Sequence, residues 1–202
     1  MKSKTLVIGI TGGLASGKST AAGILHELTG ATVIDADRIG HGLMAPGSVC
    51  FRKIINFLGS DILKKDGSID RKILGKIVFS SPVKLKKLEN ILHPAIISEI
   101  IKQIKIHKKS GRKMVILDAP LLIETGLTRL TDKLIVVSSL KSLRIRRFAG
   151  KNRNRKKLAE KIIASQMPLK EKIKFADIHI KNNSSRTGLK KILEKSLDKL
   201  LE

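Results

Sequence analysis

Residues 12–20 read Gly-Gly-Leu-Ala-Ser-Gly-Lys-Ser-Thr. They fit G-x-x-x-x-G-K-[ST], the pattern of a loop that cradles phosphate groups. The flanks fit as well. Residues 5–10 form an apolar, β-branched run that reads as a buried parallel strand. Behind the loop, Ala21, Ala22, Ile24, Leu25 and Leu28 recur at helical spacing. Glycines at 12, 13 and 17 let the backbone bend and bring its N–H groups up to phosphate oxygens. The helix that starts there adds the positive end of its dipole. Lys18 supplies a mobile point charge, and the Ser19 hydroxyl suits a magnesium ion. Such a unit commits the chain to an α/β fold whose ligands sit at the carboxyl ends of parallel strands.

The remainder of the sequence agrees. Residues 31–36 predict a second strand, residues 113–118 a third, residues 134–137 a fourth, and Ile178 with Ile180 a short fifth. Between the second and third strands, residues 38–109 read as mostly helical, broken at Pro46-Gly47, at the turn 65–68 and at His93-Pro94. That stretch is too long for a simple crossover and reads as an inserted substrate-binding subdomain. Residues 140–165 predict two helices around a loop at 150–154. Leu189, Ile192, Leu193, Leu197, Leu200 and Leu201 predict one last helix. The expectation is a parallel sheet with helices on both faces.

At 202 residues the chain has room for one domain with a proper core. Its single cysteine, Cys50, can build neither a disulfide framework nor a cysteine-rich metal site, which suits a reducing compartment. Lys2 and Lys4 precede an apolar run that ends too soon for a signal peptide, and no stretch approaches a membrane span. The expected location is the cytoplasm. The net charge of +24 attracts polyanions without saying which. Tryptophan and tyrosine are absent, and Phe148 is the lone aromatic in the most basic stretch, so there is little on which to stack single-stranded bases. Most of the excess reads as solvated lysine on helix faces, with a minority aimed at phosphates.

Asp35 and Asp37 end the second strand. Two apart on an extended segment, they would point the same way. One reading makes a carboxylate there the base for an attacking hydroxyl. The other makes both residues caps of a helix beginning at Arg38. Asp118 closes the strand expected beside the first, where it either organises magnesium or caps a turn. Glu124 reads as a helix surface charge, and His93 as either structural or functional. Residues 141–161 hold ten Lys or Arg and one acid, Glu160. They read as a solvated face or as a lid over phosphates.

Together these residues resemble the dephospho-coenzyme A kinase family, along almost the whole chain. The resemblance is carried by the loop at 11–20, by residues 33–37 with Pro46-Gly47, and by His93-Pro94. Pro120-Leu121-Leu122 with Glu124, Gln166, Ala176-Asp177 and Asn182 continue it. It implies a three-layer P-loop kinase fold with a central five-stranded parallel sheet, a helical insertion and a lid. The core would be residues 1–37, 112–140 and 176–202, the coenzyme A-binding subdomain 38–111, and the lid 141–175. It also implies transfer from ATP, with Mg²⁺, to the ribose 3′-hydroxyl of dephospho-coenzyme A.

By the same resemblance Asp37 is the general base, and Lys18 and Arg147 serve the transferring phosphate. Gly13, Leu14, Ala15, Ser16, Gly17, Lys18, Ser19 and Thr20 hold the nucleotide with Asn182 on the adenine side, and Ser19 meets the metal. Asp37, His93, Asp118 and Leu121 contact the acceptor. The implied partners are the two small substrates, with no dedicated nucleic acid or membrane, and the implied state is a monomer. The alternatives are another P-loop nucleoside or nucleotide kinase, or a nucleic-acid-stimulated ATPase. The sequence departs from the family at Ala15 and Ser184, where glycine is usual, and at Lys151-Asn152, where the family has Arg-Asp.

Overall fold

The apolar run behind the phosphate motif becomes β1 (Leu6–Gly12), buried almost throughout because strands flank it on both sides. The structure is a computed structural model that describes residues 5–201. Lys2, Lys4 and the side chain of Leu201 lie outside the described residues. α1 (Lys18–Thr29) follows the loop and ends on Gly30 at φ 68°, whose N–H donates to the His26 carbonyl. β2 (Thr32–Asp35) is shorter than expected, because the chain turns helical at Ala36.

Two compact units result, one of residues 1–35 and 103–202, the other of residues 36–102. The second contains α2 (Ala36–Leu43), α3 (Val49–Leu58), α4 (Arg71–Val78) and most of α5 (Pro82–Lys109). Its helix starts are written locally. Ser48 Oγ accepts from the Phe51 amide, and Asp70 accepts from the amides of Lys72 and Ile73. Ile54, Ile62, Leu74, Val78 and Leu92 make its core.

The expected break at His93-Pro94 does not occur, since α5 runs straight through it. Proline has no N–H, so the helix forgoes one hydrogen bond there. Leu88 and Leu92 before the proline, and Ala95 and Ile96 after it, belong to one apolar cluster that holds both halves. Each buried aliphatic side chain contributes about 2 kcal/mol, so several offset the roughly 3 kcal/mol cost of an interior proline.

In the first unit, β3 (Met114–Asp118), β4 (Lys133–Ser138) and β5 (Ile178–Lys181) complete a five-stranded sheet of order β2-β3-β1-β4-β5. Every pairing is parallel. α6 (Lys141–Ala149), α7 (Arg153–Ser165) and α8 (Leu169–Ile173) lie between β4 and β5 in the chain. The single terminal helix read from the leucine pattern is instead two, α9 (Arg186–Glu194) and α10 (Leu197–Leu201). Ser196 lies between them and donates its hydroxyl to the Ile192 carbonyl, competing with the backbone ladder. One sheet face, with Ile8, Ile10, Ile116, Ile135, Val137 and Ile180, packs on α1, α9 and α10. Val7, Leu117, Leu134 and Val136 on the other face are also buried, as expected of a parallel sheet covered on both sides.

Candidate active site

The phosphate motif lies at the carboxyl end of β1, the central strand, and is enclosed from three directions. A Cβ at Gly12 would strike the Val137 carbonyl of β4 and Ser16 Oγ. One at Gly13 would strike Arg144 Nη1 of α6, and one at Gly17 would strike Asn182 Nδ2. Only Gly17 of the three has a left-handed backbone, at φ 94°. Gly12 and Gly13 are needed for lack of room rather than for bending, which refines the sequence argument. Ala15 lies at φ 51°, a conformation that favours glycine and costs a residue with a Cβ about 1 kcal/mol.

Further hydrogen bonds hold the loop open. Asn182 Nδ2 donates to the Ser16 carbonyl at 2.8 Å, so its amide braces the loop from beneath. Gln166 Oε1 accepts from the Leu14 amide at 3.1 Å. Thr11 Oγ1 donates to the Pro120 carbonyl at 3.1 Å. α1 begins at Lys18 with no side chain capping its first amides and no acid in its first turn. Those N–H groups suit an anion.

Lys18 Nζ donates to Asp118 Oδ1 at 2.7 Å, with both groups buried. The sheet register explains the meeting. Asp118 pairs with Ile10 of β1, two residues before the motif, and with Asp35 of β2. Burial raises the Asp118 carboxyl above its usual range, opposed by the Lys18 charge and hydrogen bonds from Lys18 and Ser19, and aided by Asp35. Ser19 is exposed. Its hydroxyl and the Asp118 carboxylate form a small hard-oxygen set of the sort magnesium shares with substrate phosphates. Among the described residues no cluster of three or more His, Cys, Asp or Glu could hold a metal unaided. The donor chemistry therefore fits an ion that arrives with nucleotide.

Asp37 is not on an extended segment. It is exposed in the first turn of α2, which starts at Ala36 rather than Arg38. The alternation that would align it with Asp35 is therefore lost, and Asp35 is the carboxylate in register with Asp118. His93 is half-buried within the helical unit. Burial lowers its pKa, partly opposed by Glu89. Leu121 follows Pro120 in the turn after β3, and its carbonyl accepts from Thr125 Oγ1 at 2.7 Å.

Arg147 is held by protein oxygens. Its Nη1 donates to Ser139 Oγ at 3.3 Å and to the Asn182 carbonyl at 3.2 Å, and its Nη2 to the Ser184 carbonyl at 3.3 Å. Asn183 Oδ1 accepts from Ser139 Oγ and from the Leu140 amide, tying the same segment to the start of α6.

Two cations escaped individual notice in the sequence. Lys172 of α8 is fully buried; it donates to the Pro120 carbonyl at 2.6 Å and pairs with Glu124 at 2.8 Å. Glu124 is exposed, but it lies in a turn rather than on a helix, and besides Lys172 it accepts from the Met167 amide. Burial lowers the Lys172 pKa and Glu124 opposes the shift. Nothing in a five-residue helix marks that lysine, because so short a segment has no periodicity to read. Arg144 stood only among the clustered cations, yet its side chain lies along Gly13. The available signal was weak, namely an arginine one helical turn before Arg147 on the same face.

Over residues 6–187 the sequence matches the family described as dephospho-CoA kinase. It is 45% identical over 179 residues to the dephospho-CoA kinase of Carboxydothermus hydrogenoformans, covering 89% of this chain and 86% of that one. Among solved structures it is similar to the dephospho-CoA kinase from Campylobacter jejuni, at 33% identity and TM-score 0.67 over 96% of each chain. It is also similar to TT1252 from Thermus thermophilus, at 28% identity and TM-score 0.74 over 98% of each chain.

Proposed function

The chain belongs to the dephospho-CoA kinase family and phosphorylates dephospho-CoA with ATP, and we propose that the acceptor is the ribose 3′-hydroxyl and that the loop at 13–20, Asp37 and the α6 cations carry that reaction. The observation that bears most weight is the enclosed loop at the uncapped start of α1, with Lys18 held beside it by Asp118.

Residues 13–17 and the first turn of α1 receive the nucleotide phosphates, chiefly through the amides of Gly13, Ala15 and Gly17, since those of Leu14 and Ser16 donate to Gln166 Oε1 and the Gly13 carbonyl. Lys18 has three donors, so it holds Asp118 and turns a donor to a phosphate oxygen when nucleotide binds. Phosphoryl transfer leaves little covalent work to a protein, and positioning with charge neutralisation supplies most of the catalysis. Magnesium, when bound, screens phosphate charge, and Ser19 and Asp118 are the groups that would hold it. Asp37 takes the proton of the attacking hydroxyl as general base. The segment at 182–184 borders the adenine. His93, Asp118 and Leu121 contact the acceptor, and the helical unit carries the remainder of dephospho-CoA.

We assign the protein to the cytoplasm, acting on two small substrates as a monomer; no helix among the described residues is long and apolar enough to cross a membrane. Coupled measurement of ADP formation tests the reading. ADP should appear only when dephospho-CoA is present, and one CoA should form per ADP. Equal ADP release without acceptor, or stimulation by RNA or nucleosides in its place, would overturn it.

A further inference from the structure

Among the described residues, two buried side-chain polar atoms have no hydrogen-bond partner, Ser16 Oγ and Arg144 Nε. Both lie at the phosphate loop. Ser16 Oγ is 2.6 Å from where a Gly12 Cβ would stand, and the Arg144 guanidinium fills the space beside Gly13, with Cζ 3.3 Å and Cδ 3.8 Å from a Cβ there. Arg144 is 7% exposed. Among the described residues no carboxylate pairs with it, and α6 carries no acid at all. Burial lowers its pKa with no opposing contribution.

A guanidinium withdrawn from water without a counter-charge is unfavourable, and its buried Nε–H remains to be met. Its neighbour Arg147 differs in kind, being exposed and engaged with Ser139 Oγ and the carbonyls of Asn182 and Ser184. Such contacts shape a loop; they leave little for a phosphate. An orphaned cation and an orphaned hydroxyl beside one ring of backbone amides call for the same thing, an anion in that ring.

We infer that Arg144 is a nucleotide-phosphate ligand, donating to phosphate oxygens from the Gly13 side of the loop, and that Arg147 is a positioning residue acting through the 182–184 segment. This rests on the reading that ATP occupies the loop. It divides between two arginines the work that resemblance gives to Arg147 alone.

The test compares full-length wild type with Arg144→Gln, Arg144→Lys and Arg147→Gln, using calorimetric titration with ATP, ADP and adenosine, and thermal denaturation without ligand. Losing a charged donor to phosphate should weaken ATP binding by Arg144→Gln about tenfold or more, while adenosine binding stays within about twofold and the ligand-free melting temperature holds or rises. Arg144→Lys should fall between, because an ammonium keeps charge but not the planar fork. It also reports the ATP-to-adenosine preference if the glutamine variant does not fold. Arg147→Gln should lower the ligand-free melting temperature and weaken ATP and adenosine alike.

An Arg144→Gln affinity for ATP equal to wild type, or equal losses for ATP and adenosine, would overturn the inference. If wild type itself binds no ATP and makes no CoA, the functional reading falls and carries this one with it. Normal wild-type turnover with an unchanged Arg144→Gln affinity sinks this inference alone.

Discussion

Glycines of the phosphate loop and glycines of the helical unit answer different demands. Gly12, Gly13 and Gly17 are walled in by a β4 carbonyl, the Arg144 guanidinium and the Asn182 amide. Gly47, Gly59 and Gly67 have nothing within 4 Å of where a Cβ would stand, and their φ values are 87°, 82° and 76°. At these three turns of the helical unit glycine serves local chirality, letting the chain reverse. In the loop it makes way for groups from distant segments, so the loop is held in shape before ligand arrives. A loop so held is poised for phosphate, and at Gly12, where the neighbour is the β4 backbone, it is also intolerant of change.

The sharpest way to break that contrast is Lys18→Ala. If the enclosed loop is where chemistry happens, kcat/KM should fall about a thousandfold, the scale of a lost charge-stabilising donor. Coupled ADP kinetics at the wild-type level would contradict it. Asp37→Asn asks whether the helical unit supplies chemistry as well as turns. A lost general base should lower kcat about a hundredfold, with ATP affinity measured by titration nearly unchanged. Ordinary turnover in that variant would remove Asp37 from the mechanism.

A matched glycine pair probes the contrast itself. Gly12→Ala must displace the Val137 carbonyl, so denaturant unfolding should show a loss of about 2–3 kcal/mol, together with weakened ATP binding. Gly67→Ala meets only the left-handed penalty of about 1 kcal/mol, and ATP affinity should not move. Equal losses from the two would erase the distinction.

The smallest effect concerns protons. Burial depresses the pKa of His93 in the helical unit and of His179 on β5, where Nε2 lies 2.7 Å from Ser138 Oγ. Each is therefore harder to protonate in the folded chain than in the unfolded one. Stability is fully present above about pH 6.5 and falls as the pH drops from there towards the folded values. Melting temperatures between about pH 8 and 5 should decline, and His93→Gln and His179→Gln should each flatten the curve. An unchanged slope in both would dismiss these groups.

Much of the fold was readable because it is local. Continuous apolar runs predict four of the strands, Ile178 with Ile180 the fifth, and helical spacing predicts α1 and the helices between β2 and β3. Failures arose where a distant partner outweighed a local rule. Pro94 does not end α5, because Leu88, Leu92, Ala95 and Ile96 share a core. The alternation linking Asp35 to Asp37 fails because Ala36 already belongs to α2. The pairing of the exposed Glu124 was not legible because its partner, the buried Lys172, lies 48 residues on.

The site divides along the same line. Nine consecutive residues suffice to predict a phosphate loop, and to nominate Lys18 and Ser19 as the residues facing its ligand, since amide spacing, glycine and lysine act within one loop. A run of ten cations could not say which of them meets the ligand. A guanidinium's role depends on which backbone it lies against and which carboxylates fail to reach it, and those are facts of packing. Three residues separate Arg144 from Arg147 in the chain. Only folding shows one pressed against Gly13 and the other bound to the carbonyls of Asn182 and Ser184.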